Sequence, residues 1–219
     1  MANSINTNYG ANIALQTLNS TSKALATTQN RVSTGLAVSS AKDNGAIFAI
    51  ATNQRAEMAA LGSVKQSVQR GQSLVDVALA AGDTVVAALT EMKSLAVAIE
   101  AQGEEETAAK TALEADFAAL QTEITSALAG ATFDGVNLFS AEELTSIKTS
   151  TADDGTYDIG LESLTDLTAV EATSSAVTTA IEGFTANLAT LGTQSKSLER
   201  QLTFTTKMED ALEAGIGNL

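Results

Sequence analysis

The chain has 219 residues, 44% hydrophobic and 17% charged, with a formal charge of −14 at pH 7 and no Pro, Cys, Trp or His. Without Cys there are no disulfides or sulfur-ligated metals, and without His the commonest catalytic base and metal ligand is gone, so neither enzymatic activity nor a cofactor is expected. Residues 1–99 hold seven Lys or Arg and five Asp or Glu, a net of +2 that leaves −16 on residues 100–219, and this acidic second half argues against nucleic-acid binding, which needs a basic footprint.

The start, MANSINTNYG, has no basic region, apolar stretch or cleavage site, and no run of about 18 apolar residues occurs, so no membrane-spanning segment is expected. The chain therefore stays in the cytoplasm or leaves by a route that reads no cleaved signal. From Asn12 to Val32 a thin stripe of Leu15, Leu18, Ser22, Leu25, Gln29 and Val32 steps by three and four. It predicts a helix that is marginal alone and orders against partners. Ser33-Thr34-Gly35 reads as its stop, and Leu36 to Ser40 as extended. The triplet Asn19-Ser20-Thr21 matches a glycosylation acceptor, but it sits on this helix and carries no weight.

Asp43 or Asn44 is the expected N-cap of a much longer helix from Ala46 to Glu100. Its seam is Leu61, Val64, Val68, Gly71, Val75, Ala78, Gly82, Val85, Leu89, Met92, Ala96 and Ile99, alternating three and four without a break. Such a seam keeps one stripe facing a partner, as a coiled-coil-like bundle requires. It spans roughly 58 Å at about 1.5 Å per residue, so partners of matching length are needed. Gly71 and Gly82 each cost about 1 kcal/mol against Ala, which points to close approach of a neighbour. Gln102-Gly103 turns the chain, and Glu104, Glu105 and Glu106 are placed where the positive end of the next helix favours acids.

Leu113, Phe117, Leu120, Ile124 and Ala127 mark a third helix ending near Gly130 and folding back antiparallel. Periodicity then changes. Asp134-Gly135 and Asp154-Gly155 are turn dipeptides, and Thr145 to Ser150 pairs with Thr156 to Leu161 as a hairpin. Ser140 with Glu143 fits a capping box for one short helical turn. Asp153, Asp154 and Asp158 miss the spacing of a calcium loop, so turn chemistry is the better reading. From Val177 the seam returns as Ile181, Phe184, Leu188, Leu191, Ser195, Leu198, Leu202, Thr205, Glu209, Leu212 and Ile216. The fold class expected is mainly α, an elongated bundle of long antiparallel coiled-coil-like helices with a small β-hairpin region at one end. The organisation expected is residues 1–43 as N-terminal helix and linker, 44–130 with 170–219 as helical rod, and 131–169 as hairpin region.

No phosphate loop, dinucleotide fingerprint, nucleophile elbow or zinc spacing occurs. The stretches SINTNYGANIALQTLN, RVSTGLAVSSAKDNGA, SVQRGQSLVDVALAAGDTV and LTFTTKMEDALEAGIGNL resemble, in order and spacing, the signature segments of bacterial flagellins of the alphaproteobacterial type. Residues 131–170 fall where that family varies. The resemblance implies a secreted structural subunit of the flagellar filament, exported through the flagellar type III apparatus and polymerised beneath a cap into a helical tube for motility. It implies other flagellin subunits, export machinery, cap and hook-filament junction proteins as partners, and no nucleic acid or membrane. A junction protein or adhesin-like surface protein with the same helical ends is the alternative; an enzyme on this scaffold has little room in so small a middle region.

By the same resemblance, Leu15, Leu18, Leu25 and Val32 belong to filament-core assembly. Relatives continue past a motif like Gly217-Asn218-Leu219 with a further helix that pairs with the first, so this chain is expected to be a truncated form that does not polymerise stably. Flagellins recognised by the vertebrate Toll-like flagellin receptor carry a Gln-Arg-Val-Arg-Glu-Leu-Ala-like run whose first Arg anchors the receptor. The matching run here is Thr90-Glu91-Met92-Lys93-Ser94-Leu95-Ala96. Glu91 accepts hydrogen bonds where that Arg donates up to five, so evasion of the receptor is expected.

Overall fold

A computed structural model describes residues 8–103, 105, 107–140, 144–161 and 166–218. The order of elements is α1 (Tyr9–Thr34), α2 (Gly45–Ala101), α3 (Ala108–Gly130), β1 (Thr132–Phe133), β2 (Val136–Asn137), β3 (Thr145–Lys148), β4 (Thr156–Ile159) and α4 (Ser174–Gly217). The protein is mainly α. It divides into two compact units, one of residues 60–207 and one of residues 1–59 with 208–219.

The larger unit is built on the seam of α2. All twelve of its residues from Leu61 to Ile99 are buried, as a stripe stepping three and four must be when helices cover it along its length. Leu74 and Ala88 are buried beside it. The carbonyl of Gly103 lies 3.2 Å from Lys110 Nζ across the α2–α3 turn, and Arg70 of α2 pairs with Asp134, just past the end of α3, at 3.6 Å; the two helices are thus antiparallel. So are α2 and α4, because Glu100 Oε1 accepts from the Ser174 N–H at 2.8 Å while Gly82 faces Leu188. That carboxylate satisfies a free donor at the positive end of α4. Phe117 and Ile124 of α3 and Val177, Phe184, Leu191 and Leu198 of α4 close one hydrophobic cluster with the α2 seam, and Leu113, Leu120, Ile181, Leu188 and Leu202 pack half-buried against it.

Both glycines of the seam sit where a neighbour comes close. A Cβ at Gly71 would lie 2.9 Å from Ile147 Cγ1, and one at Gly82 would lie 2.3 Å from Leu188 Cδ2. Two antiparallel hairpins, β1–β2 around Asp134-Gly135 and β3–β4 around Asp154-Gly155, pack on this scaffold. β3–β4 is fastened by its edges. The Lys148 N–H donates to Ser67 Oγ of α2 at 3.1 Å, Gln201 Nε2 of α4 donates to the Thr149 carbonyl at 2.6 Å, and Gln194 both donates to and accepts from Gly160 at 2.8 and 3.0 Å.

In the smaller unit, α1 is capped by Asn8, whose side chain accepts from the Ala11 N–H, and stopped by Gly35 at φ 68, whose N–H returns to the Arg31 carbonyl. The cap of α2 is Asn44, with Oδ1 accepting from Ala46 and Ile47 N–H at 3.1 and 3.3 Å. Asp43 instead accepts from Ser40 and Ser39 hydroxyls at 3.0 and 3.3 Å. The Ser40 hydrogen bond first, and Ser39 after it, hold its carboxyl below the ordinary carboxylate range.

Helix α3 starts at Ala108 with Thr107 as N-cap and no acid in its first turn, so Glu105 sits at a bend outside the helix; Glu104 and Glu106 lie outside the described residues. Thr107 wins the cap because its hydroxyl accepts from the Lys110 N–H at 3.1 Å, which a glutamate side chain at that position does less well. Glu143 of the proposed capping box also lies outside the described residues. Finally, α2 is long and apolar enough, by length and composition only, to cross a bilayer. Core helices share that composition, and the seam of α2 is buried.

Candidate assembly surfaces

Twenty-six residues of α1 form a helix in which none is buried. The four candidates for assembly are exposed, Leu15 at 56%, Leu18 at 63%, Leu25 at 57% and Val32 at 79%, with Ile13 and Tyr9 also open. Lys23 and Arg31 are the charged residues of this helix, and no acid occurs before Asp43. Among the described residues this helix therefore carries an exposed apolar stripe, positive charge and no buried side chain. Three of its side-chain hydroxyls turn back on the helix, Thr27, Thr28 and Thr34 each donating to a carbonyl one turn back at 2.7–3.0 Å.

The receptor-like run lies on α2 in the larger unit. Thr90, Glu91, Lys93 and Ser94 are exposed, Leu95 is half-buried, and Met92 and Ala96 are in the seam. Thr90 Oγ1 donates to the Val86 carbonyl at 2.8 Å. Glu91 and Leu95 form one wall of a groove of about 270 Å³ whose other wall is Asp116, Ala119, Leu120 and Glu123 of α3. The structure thus brings the Glu91 end of this run against α3, and leaves Lys93 and Ser94 off the groove lining.

The sixteen packing candidates Leu61, Val64, Val68, Val75, Val85, Leu89, Met92, Phe117, Leu120, Ile124, Ile181, Phe184, Leu188, Leu191, Leu198 and Leu202 are buried or half-buried. Phe184 stacks on Phe139 with ring centroids 5.7 Å apart. Sequence reading passed over one surface feature. Lys196, Arg200, Phe204 and Lys207 of α4 step by four, four and three and are all exposed, a face that the same helical spacing would have disclosed.

Long antiparallel helices closed over a heptad seam, with a further helix whose described residues are all unburied, are the build of a helical structural subunit with an open face. The bacterial flagellin N-terminal helical region matches residues 5–143. The chain is 44% identical to flagellin FljK and 45% identical to flagellin FljO of Caulobacter vibrioides, in each case across 99% of this chain and 84% of the relative. It is 30% identical to a flagellin of Brucella melitensis over the same shares. The chain belongs to the flagellin family, the structural subunits of the extracellular bacterial flagellar filament.

Proposed function

We propose that α1 is the surface through which this flagellin enters the filament core, by its Leu15, Leu18, Leu25 and Val32 stripe. The observation that carries this reading is a 26-residue helix without a buried side chain. Burying a Leu or Val side chain stabilises by about 1.5–3 kcal/mol, so a stripe of four gives a strong reason to associate. The buried seams of α2, α3 and α4 serve a different purpose and keep the subunit rigid while it is packed by its neighbours. Export through the flagellar type III apparatus, and contact with the filament cap and hook-filament junction proteins, complete the reading. A chain without Pro or Cys suits passage in an extended state, having no disulfide to reduce.

The test replaces Leu18 and Leu25 by Asp in the gene and expresses it in cells lacking their own flagellin. Electron microscopy should then show cells without filaments while monomer accumulates in the medium. Filaments of normal number and length would overturn the role of α1.

The exposed Glu91 supports a second element of the reading, evasion of the vertebrate Toll-like flagellin receptor. A carboxylate beside Asp116 and Glu123 presents negative charge where flagellins recognised by that receptor offer a guanidinium. Reporter cells expressing the receptor should respond weakly, and Glu91→Arg should raise the response. A response to the unaltered protein equal to that of an enteric flagellin would refute it.

A further inference from the structure

The larger unit has two patches that differ from its remaining surface and match each other. Residues 60–207 hold 21 acidic and eight basic residues, a net of −13, so copies packed together repel unless opposite charges meet where they touch. On α4, Lys196, Arg200, Phe204 and Lys207 share one exposed face, opposite the buried Leu191, Leu198 and Thr205. Phe204 is 55% exposed, an open aromatic surrounded by three cations, with Glu199 the one acid between Lys196 and Lys207. The α2–α3 groove has the inverse pattern, with Leu95, Ala119 and Leu120 between the carboxylates of Glu91, Asp116 and Glu123. Among the described residues none of these six facing charges forms an ion pair inside the chain.

We propose that the α4 face of one copy seats in the α2–α3 groove of the next. Phe204 lies over Leu95 and Leu120, and the three cations meet the three carboxylates. This rests on the filament reading and names one of its contacts. The spacings agree, since Arg200 to Lys207 and Asp116 to Glu123 are both seven residues, about 10 Å along a helix. The two patches are distinct surfaces. The part of α4 opposite the groove lies near Ile181, between the Glu100–Ser174 and Gly82–Leu188 pairings, so the basic face is about 20 residues, or about 30 Å, further along α4. A contact between unlike patches leaves one of each free on every pair, and therefore propagates head to tail.

The absence of Cys allows a direct test in filaments from cells lacking other flagellins. Leu95→Cys with Phe204→Cys, oxidised in intact filaments, should give a ladder of covalent oligomers, whereas either single variant should stay monomeric. Separately, Lys196→Glu with Arg200→Glu and Lys207→Glu should lower filament number at least about tenfold. Adding Glu91→Lys, Asp116→Lys and Glu123→Lys should restore it, with circular dichroism of secreted monomers checking that each variant is folded. All variants are made in the intact gene, and failure of that gene, unaltered, to yield filaments would refute the filament reading itself. Normal filaments from the α4 triple variant, no restoration by the six-fold exchange, or no ladder from the cysteine pair in well-formed filaments would overturn this contact and leave that reading standing. Loss of filaments from the groove variants alone, with the α4 variants unaffected, would assign the groove to another partner and also overturn it.

Discussion

Gly82 and Gly192 both sit inside long helices, yet alanine at the two positions should have opposite effects. Helix propensity alone stabilises each Gly→Ala change by about 1 kcal/mol. At Gly192 nothing lies within 4 Å of an added Cβ, so that gain should appear in full. At Gly82 the new methyl would lie 2.3, 3.2 and 3.3 Å from Leu188 Cδ2, Cδ1 and Cγ. Leu188 is half-buried and can rotate to relieve part of the overlap, but overpacking a helix interface costs about 1–3 kcal/mol. Set against the propensity gain, Gly82→Ala should destabilise by about 0–2 kcal/mol. Thermal unfolding followed by circular dichroism reads this as about 2–4 °C per kcal/mol for a unit of this size, downward for Gly82→Ala and upward for Gly192→Ala. In a Leu188→Ala background the overlap is gone, and Gly82→Ala should become stabilising, the coupling expected of residues in contact. A Gly82→Ala protein that melts as high as Gly192→Ala would refute close approach as the reason for the glycine.

Phe184→Ala should cost about 3–5 kcal/mol, because the ring is buried and a cavity remains; the guanidinium midpoint should fall with little change in slope, and a loss under about 1 kcal/mol would contradict its place in the core. Gln194→Ala leaves both backbone groups of the buried Gly160 without partners, at about 1–3 kcal/mol each; hydrogen exchange should quicken across β4 while the α2 seam keeps its protection. Asp43 titrates below its ordinary value of 3.8 because Ser40 and Ser39 donate to its ionised form. Its contribution is therefore present above pH 3.8 and is lost as pH falls through the depressed value. The Ser39, Ser40 and Asn44 amide resonances should move only below pH 3.8 and stay fixed in Asp43→Asn; a midpoint above 3.8 would contradict the hydrogen-bonded turn.

Much of the fold was legible because its helices follow the simplest periodic rule. A buried stripe on a helix must recur every three or four residues, and Leu61 to Ile99 do so through more than five heptads. Gly35 as a stop and Asp134-Gly135 as a turn were equally readable, since all three residues take the positive φ that few residues adopt, and Asp154-Gly155 was readable as a turn from its composition alone. Polar fastenings were not. Gln194 meets Gly160 and Gln201 meets Thr149 across 34 and 52 residues, and a glutamine has no local pattern that names so distant a partner. The cap of α3 went unread for a related reason, because three successive glutamates point to the helix dipole while the single Thr107 hydroxyl makes the cap.

Sequence alone therefore determined which residues face inward, where helices end and which family the chain resembles, because periodicity, capping and turn chemistry are local. Tertiary structure decided what those helices touch. It placed Ile147 and Leu188 against the two seam glycines, joined Glu91 and Leu95 of α2 to Asp116 and Leu120 of α3 in one groove, and left Phe204 in the open among Lys196, Arg200 and Lys207. These depend on how long helices align against each other, and alignment is set by contacts between residues far apart in the chain.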